Sequence, residues 1–197
     1  MRTVAALPIA FAAALLAGCG SSGDASAPPS ATTTAVPAAA TTTAAAGPSK
    51  TTSPRGNLVE PIGTEAGIRK PGEDPVIKWT VTEIKADVPC TESTALPSEN
   101  GHFVVVSIDA ETSAGFVPAK LPAGFFHPGN YWSLVDASGI THPHADSTAV
   151  YRCRKGDWPI DLAPGSKYRF QLTFDSPTAS GILAFAPTGP GGWEWNF

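Results

Sequence analysis

From Lys167 to Phe174 the chain reads KYRFQLTF. Tyr168, Phe170, Leu172 and Phe174 fall on one face, and Lys167, Arg169, Gln171 and Thr173 on the other. Side chains alternate along a strand with a period of two, against 3.6 for a helix. The stretch therefore predicts a strand with one buried and one wetted face. The chain enters it through Ala163-Pro164-Gly165 and leaves through Ser176-Pro177, both of which are turn chemistry. Residues 76–85 are β-rich. Residues 103–110 read FVVVSIDA, apolar on both faces at first, which suits a central strand. Residues 131–135 run into Asp136-Ala137-Ser138-Gly139, a hairpin signal. Residues 181–186 and 193–197 supply two more strands, and Trp193, Trp195 and Phe197 of the last should share a core-facing side. No segment has a convincing amphipathic helical pattern. Six or more short strands with Gly/Pro turns predict an all-β fold, an antiparallel β-sandwich. Residues 118–129 (PAKLPAGFFHPG) read as a long loop. Its Phe125 and Phe126 either form an exposed contact anchor or tuck under the sandwich. Residues 58–74 read as an irregular lead-in to a domain spanning 75–197.

Composition divides the chain. All five Trp, all three Tyr and eight of the nine Phe lie in residues 58–197, enough chain for one domain with a real core. That region holds ten Lys/Arg against sixteen Asp/Glu, a balance of −6. An acidic surface argues against nucleic acid, whose phosphates need a basic patch, and against docking on anionic lipid headgroups. Before it, residues 20–57 are mostly Ala, Thr, Ser and Pro, with no aromatic residue. Such a segment cannot bury enough apolar area to offset its ordering entropy, so a disordered tether is expected over 19–57.

The first residues point to an address. Arg2 and the amino terminus are positive, and residues 4–18 are almost wholly apolar. That run is shorter than the roughly 20 residues needed to span a bilayer, but it suits the apolar region of a signal peptide. It ends in Leu16-Ala17-Gly18-Cys19, which resembles the lipobox of bacterial lipoproteins. The resemblance implies cleavage after Gly18 and a lipid on Cys19. Two or three acyl chains on one cysteine would anchor the chain stably on the extracytoplasmic face of the cell membrane.

The order of strands and turns carries a second resemblance. Trp79-Thr80-Val81 precedes Gly101-His102-Phe103-Val104-Val105-Val106. Then follow Trp132-Ser133-Leu134-Val135-Asp136 with Gly139, Leu162-Ala163-Pro164-Gly165, and Leu172-Thr173-Phe174-Asp175-Ser176-Pro177. This looks like the immunoglobulin-like domain of unknown function found in Gram-positive and actinobacterial lipoproteins, allied to a secreted mycobacterial immunoglobulin-like antigen. Asp109-Ala110-Glu111-Thr112 stands where that family usually carries an asparagine-rich stretch. The resemblance implies an immunoglobulin-like β-sandwich at the cell surface and brings no catalytic residues.

With Cys19 spent on lipid, Cys90 and Cys153 are an even pair in an oxidising compartment, which favours a disulfide. The rival reading is a reactive Cys153 thiol beside Arg152, Arg154 and Lys155. Both cysteines sit in loop-like sequence. The sharpest chemical cluster is His142-Pro143-His144-Ala145-Asp146. On an extended segment His142 and His144 project to one side, and with Asp146 and either His127 or His102 they could hold zinc or copper. The spacing matches no strong metal signature, so a polar hairpin edge is the expected reading and no cofactor is expected. No Gly-x-Ser-x-Gly elbow, phosphate loop or dinucleotide fingerprint occurs. Glu92, Glu99, Asp109 and Glu111 are carboxylates without a catalytic pattern. These readings lead to a lipid-anchored, non-enzymatic module that binds an envelope protein or ligand. Its contact surface would be residues 118–129 with the nearby His142 to Asp146 loop. The alternative is a metal-binding envelope protein using His142 and His144, and a hydrolase stands third.

Overall fold

The computed structural model describes residues 51–189 and 191–197. The expected leader, Cys19 and the tether through residue 50 lie outside the described residues. Two sheets face each other. One has five strands, β1 (Leu58–Val59), β5 (Trp132–Val135), β6 (Thr141–Pro143), β8 (Ile182–Phe185) and β9 (Trp193–Asn196), in the order β1-β9-β8-β5-β6. The other has four, β2 (Glu65–Ile68), β3 (Ile77–Ala86), β4 (His102–Thr112) and β7 (Lys167–Ser176), in the order β2-β3-β4-β7. All pairings are antiparallel except β1 on β9. The protein is a β-sandwich, as the alternation predicts.

The alternation also selects the core. Val104, Val106 and Ile108 on β4 oppose Phe174, Leu172 and Phe170 on β7, and all six are buried. They meet Trp132, Leu134, Leu183, Phe185, Trp193 and Trp195 from the other sheet in one cluster. At about 25 cal/mol per Å², burial of these large rings supplies much of the driving force for folding. The turn after β5 closes as its sequence predicts. Asp136 N–H donates to Ile140 O, and Gly139 N–H donates to Asp136 O. Gly139 takes φ +85°, which glycine adopts without a Cβ clash.

Four expectations need correction. First, of the two readings left open for Phe125 and Phe126, the contact anchor falls: both are core residues, at 4% and 0% exposure. Their rings pack edge-on at 4.8 Å, and Phe126 lies 5.0 Å from Phe170 and 5.9 Å from Phe185. The 118–129 loop holds a short 3-10 turn (Pro118–Lys120) and then plugs both rings into the sandwich, because two aromatics this large cost more in water than the loop costs to bend.

Second, the 58–74 lead-in is not irregular. It contributes β1 to one sheet and β2 to the other. Third, the tether does not run to residue 57. Arg55 donates from Nε and Nη2 to the two carboxylate oxygens of Glu194 at 2.7 and 2.9 Å, and Asn57 Nδ2 donates to Oε1 at 2.8 Å. Burial alone would raise the Glu194 pKa; the bonds from Arg55 and Asn57 outweigh it and hold the carboxyl below its ordinary range. A charged residue in the middle of an aromatic strand is thus satisfied by a segment that composition assigns to the tether.

Fourth, a helix is present. α1 (Thr148–Cys153) has Ser147 as N-cap, its Oγ accepting from Val150 N–H at 3.3 Å. Cys153 is its last residue and is fully buried, not in a loop. Six residues are too few to show a helical period. α1 lies on the outer face of β4 and β7, where Ala149, Val150 and Cys153 pack with Phe103 and Cys90. This explains why FVVV is apolar on both faces. Val104 and Val106 face the main core, while Phe103 lies under the helix.

Candidate functional site

The outer face of the four-stranded sheet has two halves. In the covered half, Phe103 opposes Asp175 and Val105 opposes Thr173; all four are buried. In the open half, Asp109 opposes Arg169, and Glu111 lies between Lys78 and Lys167.

A disulfide fastens the covered half. Cys90 and Cys153 are bonded, with Cα atoms 4.5 Å apart, so Cys153 is not a free thiol. Backbone N–H groups of Thr91 and Glu92 donate to Cys153 O at 2.9 and 3.2 Å. Arg154, considered above as an activator of a thiol, instead donates to Pro89 O and Gln171 Oε1.

Asp175 sits beneath this cover at 1% exposure. Its carboxylate accepts from Ser98 Oγ, Ser147 Oγ, Glu99 N–H and Asn100 N–H. One side chain on β7 thereby holds both the segment before β4 and the cap of α1. Sequence reasoning quoted Asp175 only within the motif at the strand's end and missed this role, since its side-chain donors lie 28 to 77 residues away. Burial pushes its pKa up; hydrogen bonds from Ser147 and Ser98, then from Glu99 and Asn100, more than offset this and hold it below the ordinary value. A carboxyl whose folded pKa lies below its unfolded value of about 3.9 contributes stability above that value and loses it as pH falls through the folded pKa. Asp175→Asn should therefore cost about 3 kcal/mol at pH 7, because an amide cannot accept from four donors. The deficit should shrink below about pH 4 as wild type loses its own advantage. Urea unfolding of both proteins at pH 7 and pH 3 measures this, and an equal deficit at the two values would contradict it.

The open half forms a shallow groove of about 410 Å³ lined by Glu65, Lys78, Thr80, Asp109, Glu111, Lys167 and Arg169, among others. Arg169 grips Asp109 through two bonds of 2.7 and 2.9 Å, and that contact lowers the Asp109 pKa. Lys78 lies 3.2 Å from Glu65 and 3.7 Å from Glu111, and Lys167 lies 3.6 Å from Glu111. Exposed pairs of this kind are worth about 0–1 kcal/mol each, so the ladder adds little to stability. Two of the unpatterned carboxylates, Asp109 and Glu111, belong to it. Glu99 instead caps α1 by accepting from Ala149 N–H, and Glu92 accepts from Thr91.

The histidine cluster is split. His142 Nε2 lies 3.0 Å from Asp136 Oδ2, and His144 Nδ1 lies 3.0 Å from Gly129 O. Asp146 accepts from the Tyr151 hydroxyl at 3.0 Å. His127 accepts from Gly129 N–H and packs edge-on against Trp158, and His102 pairs with Asp87 at 2.8 Å. Strand geometry does not align His142 and His144, because β6 ends at Pro143 and His144 turns to φ +54°. Among the described residues no group of three or more His, Cys, Asp and Glu side chains is placed to hold a metal ion. No described helix is long and apolar enough to cross a membrane.

These features define a class: a β-sandwich with a disulfide-fastened cap on one face and a charged, strand-mounted surface beside it. Neither a family model, nor a curated protein, nor a solved structure matches this chain.

Proposed function

We propose that the protein is an extracytoplasmic binding module of the cell envelope, held to the membrane by lipid on Cys19, with an immunoglobulin-like sandwich as its working part. The observation that supports this most is the Cys90–Cys153 bond. Such bonds persist in oxidising compartments and are rare in the cytosol, and the apolar run ending in Leu16-Ala17-Gly18-Cys19 suits export to such a compartment. With Phe125 and Phe126 in the core, the contact surface moves to the charged groove on β2, β3, β4 and β7. Its charges add little to stability, and rigid strands carry them, which suits recognition of a charged envelope partner by electrostatic complementarity. The module binds without catalysing a reaction, and nucleic acid is not its partner.

Cys19→Ala should move the protein from the membrane fraction to the soluble fraction, while wild type stays with the membrane until detergent is added. Intact mass of the wild type should start at Cys19 and carry acyl chains. An unlipidated wild type, or free Cys90 and Cys153 in protein taken from cells, would overturn the assignment.

A further inference from the structure

Three rings from three separate segments meet beside α1. His127 comes from the loop before β5, Tyr151 from α1 itself, and Trp158 from the run between α1 and β7. Their centroids lie 5.5 Å (His127 to Trp158), 6.2 Å (Tyr151 to Trp158) and 6.3 Å (His127 to Tyr151) apart. Tyr151 is 43% exposed, and His127 and Trp158 are half-buried. Asp146 joins them, its Oδ2 accepting from the Tyr151 hydroxyl at 3.0 Å. Burial, and then that bond, push the hydroxyl pKa up to about 12, so it stays a donor at neutral pH.

Two glycines make room for this cluster. Neither Gly129 nor Gly156 takes a left-handed φ, so the backbone does not call for glycine at either position. The neighbours do. A Cβ on Gly129 would come within 2.5 Å of Asp146 Oδ2 and 3.4 Å of His127 Cε1, and one on Gly156 within 1.9 Å of the Trp158 ring. The bare Gly129 thus lets the carboxylate and the imidazole approach one point. Its N–H donates to His127 Nδ1 at 3.1 Å, which leaves the ring hydrogen on Nε2. Among the described residues, neither that Nε2–H nor Asp146 Oδ1 has a hydrogen-bond partner.

The patch therefore offers aromatic surface, one pure donor and one pure acceptor. An anion would meet the Asp146 carboxylate. A cation would meet the His127 N–H and the charges of Arg152 and Lys155, which adjoin Tyr151 and Gly156 in the chain. A sugar hydroxyl both donates and accepts, and the C–H face of a sugar ring is apolar enough to pack on aromatic rings. We infer that this patch is a saccharide-binding site. A neutral sugar ring packs on Tyr151 and Trp158, one of its hydroxyls donates to Asp146 Oδ1, and another accepts from His127 Nε2–H. The patch shares no residue with the charged groove and does not depend on the lipid anchor, so its failure would leave the proposed envelope module standing.

The test is a two-dimensional NMR titration of the wild-type chain with the hexasaccharides of glucose, mannose, galactose and N-acetylglucosamine in turn. At least one sugar should shift the Trp158 indole, the Gly129 amide and the His127 ring in a saturable way. Asp146→Asn should weaken that sugar about 10-fold or more, because a charged acceptor binds a hydroxyl more strongly than an amide does. Tyr151→Ala should weaken it several-fold through lost ring contact. Both side chains lie outside the main core, so the melting temperature should change little in either variant. Lys78→Ala, in the charged groove, should bind the sugar as wild type does. No saturable shift with any of the four sugars would overturn the site. So would wild-type affinity in both patch variants, shifts confined to the charged groove, or shifts at the patch with tetramethylammonium chloride and none with sugar.

Discussion

Phe126→Ala should lower the stability of the domain by about 3–5 kcal/mol, the range for truncating a fully buried phenylalanine. The ring has 0% exposure. It touches Trp79, Phe125, Phe170 and Phe185 at centroid distances of 4.8 to 6.0 Å. Its removal loses transfer free energy and leaves a void that the strands cannot close, because Trp79 and Phe170 sit in β3 and β7 with their registers fixed by long ladders. The melting temperature should drop by more than about 10 °C. Guanidinium unfolding followed by tryptophan fluorescence gives the free energy directly, and a loss under about 1 kcal/mol would return the ring to the surface.

Removing the Cys90–Cys153 bond should cost about 4 kcal/mol on the chain-entropy argument, since the cysteines are 63 residues apart. The loss should be uneven. The bond fastens the segment before β4 and α1 over one end of the sheet, while the main aromatic cluster lies between the sheets. In Cys90→Ala/Cys153→Ala the amides of Thr91, Glu92 and Arg154 should exchange hydrogen faster well before global unfolding. Core amides of β3 and β4 should change only with the global loss. A double variant as stable as wild type would show that Asp175 and the small apolar patch hold the cap without the bond.

These two expectations differ in how far they could be read from sequence. Sequence reading anticipated the cysteine pair, because an even pair in a chain expected to be exported has few other uses. It did not anticipate that Cys153 ends a helix. That helix has six residues, and its one sequence signal is Ser147 as an N-cap. For Phe125 and Phe126 the sequence left two outcomes open. Flanking Gly and Pro set the loop's freedom to turn but not the direction in which it turns.

The period of two along Lys167–Phe174, and the spacing of Trp193, Trp195 and Phe197, belong to the sequence itself, because alternation follows from local covalent geometry and needs no remote partner. The turn at Asp136 to Gly139 and the division of the chain by composition belong to it for the same reason. What covers the second face of a strand is set by residues far away in the chain. Only the tertiary structure could decide that Glu194 would be met by Arg55 and Asn57 across 137 or more residues. The same holds for Asp175, which gathers the segment before β4 and the cap of α1, and for His142 and His144, which give one ring nitrogen each to Asp136 and Gly129. Burial and hydrogen-bond satisfaction are properties of the packed chain, and no local pattern encodes them.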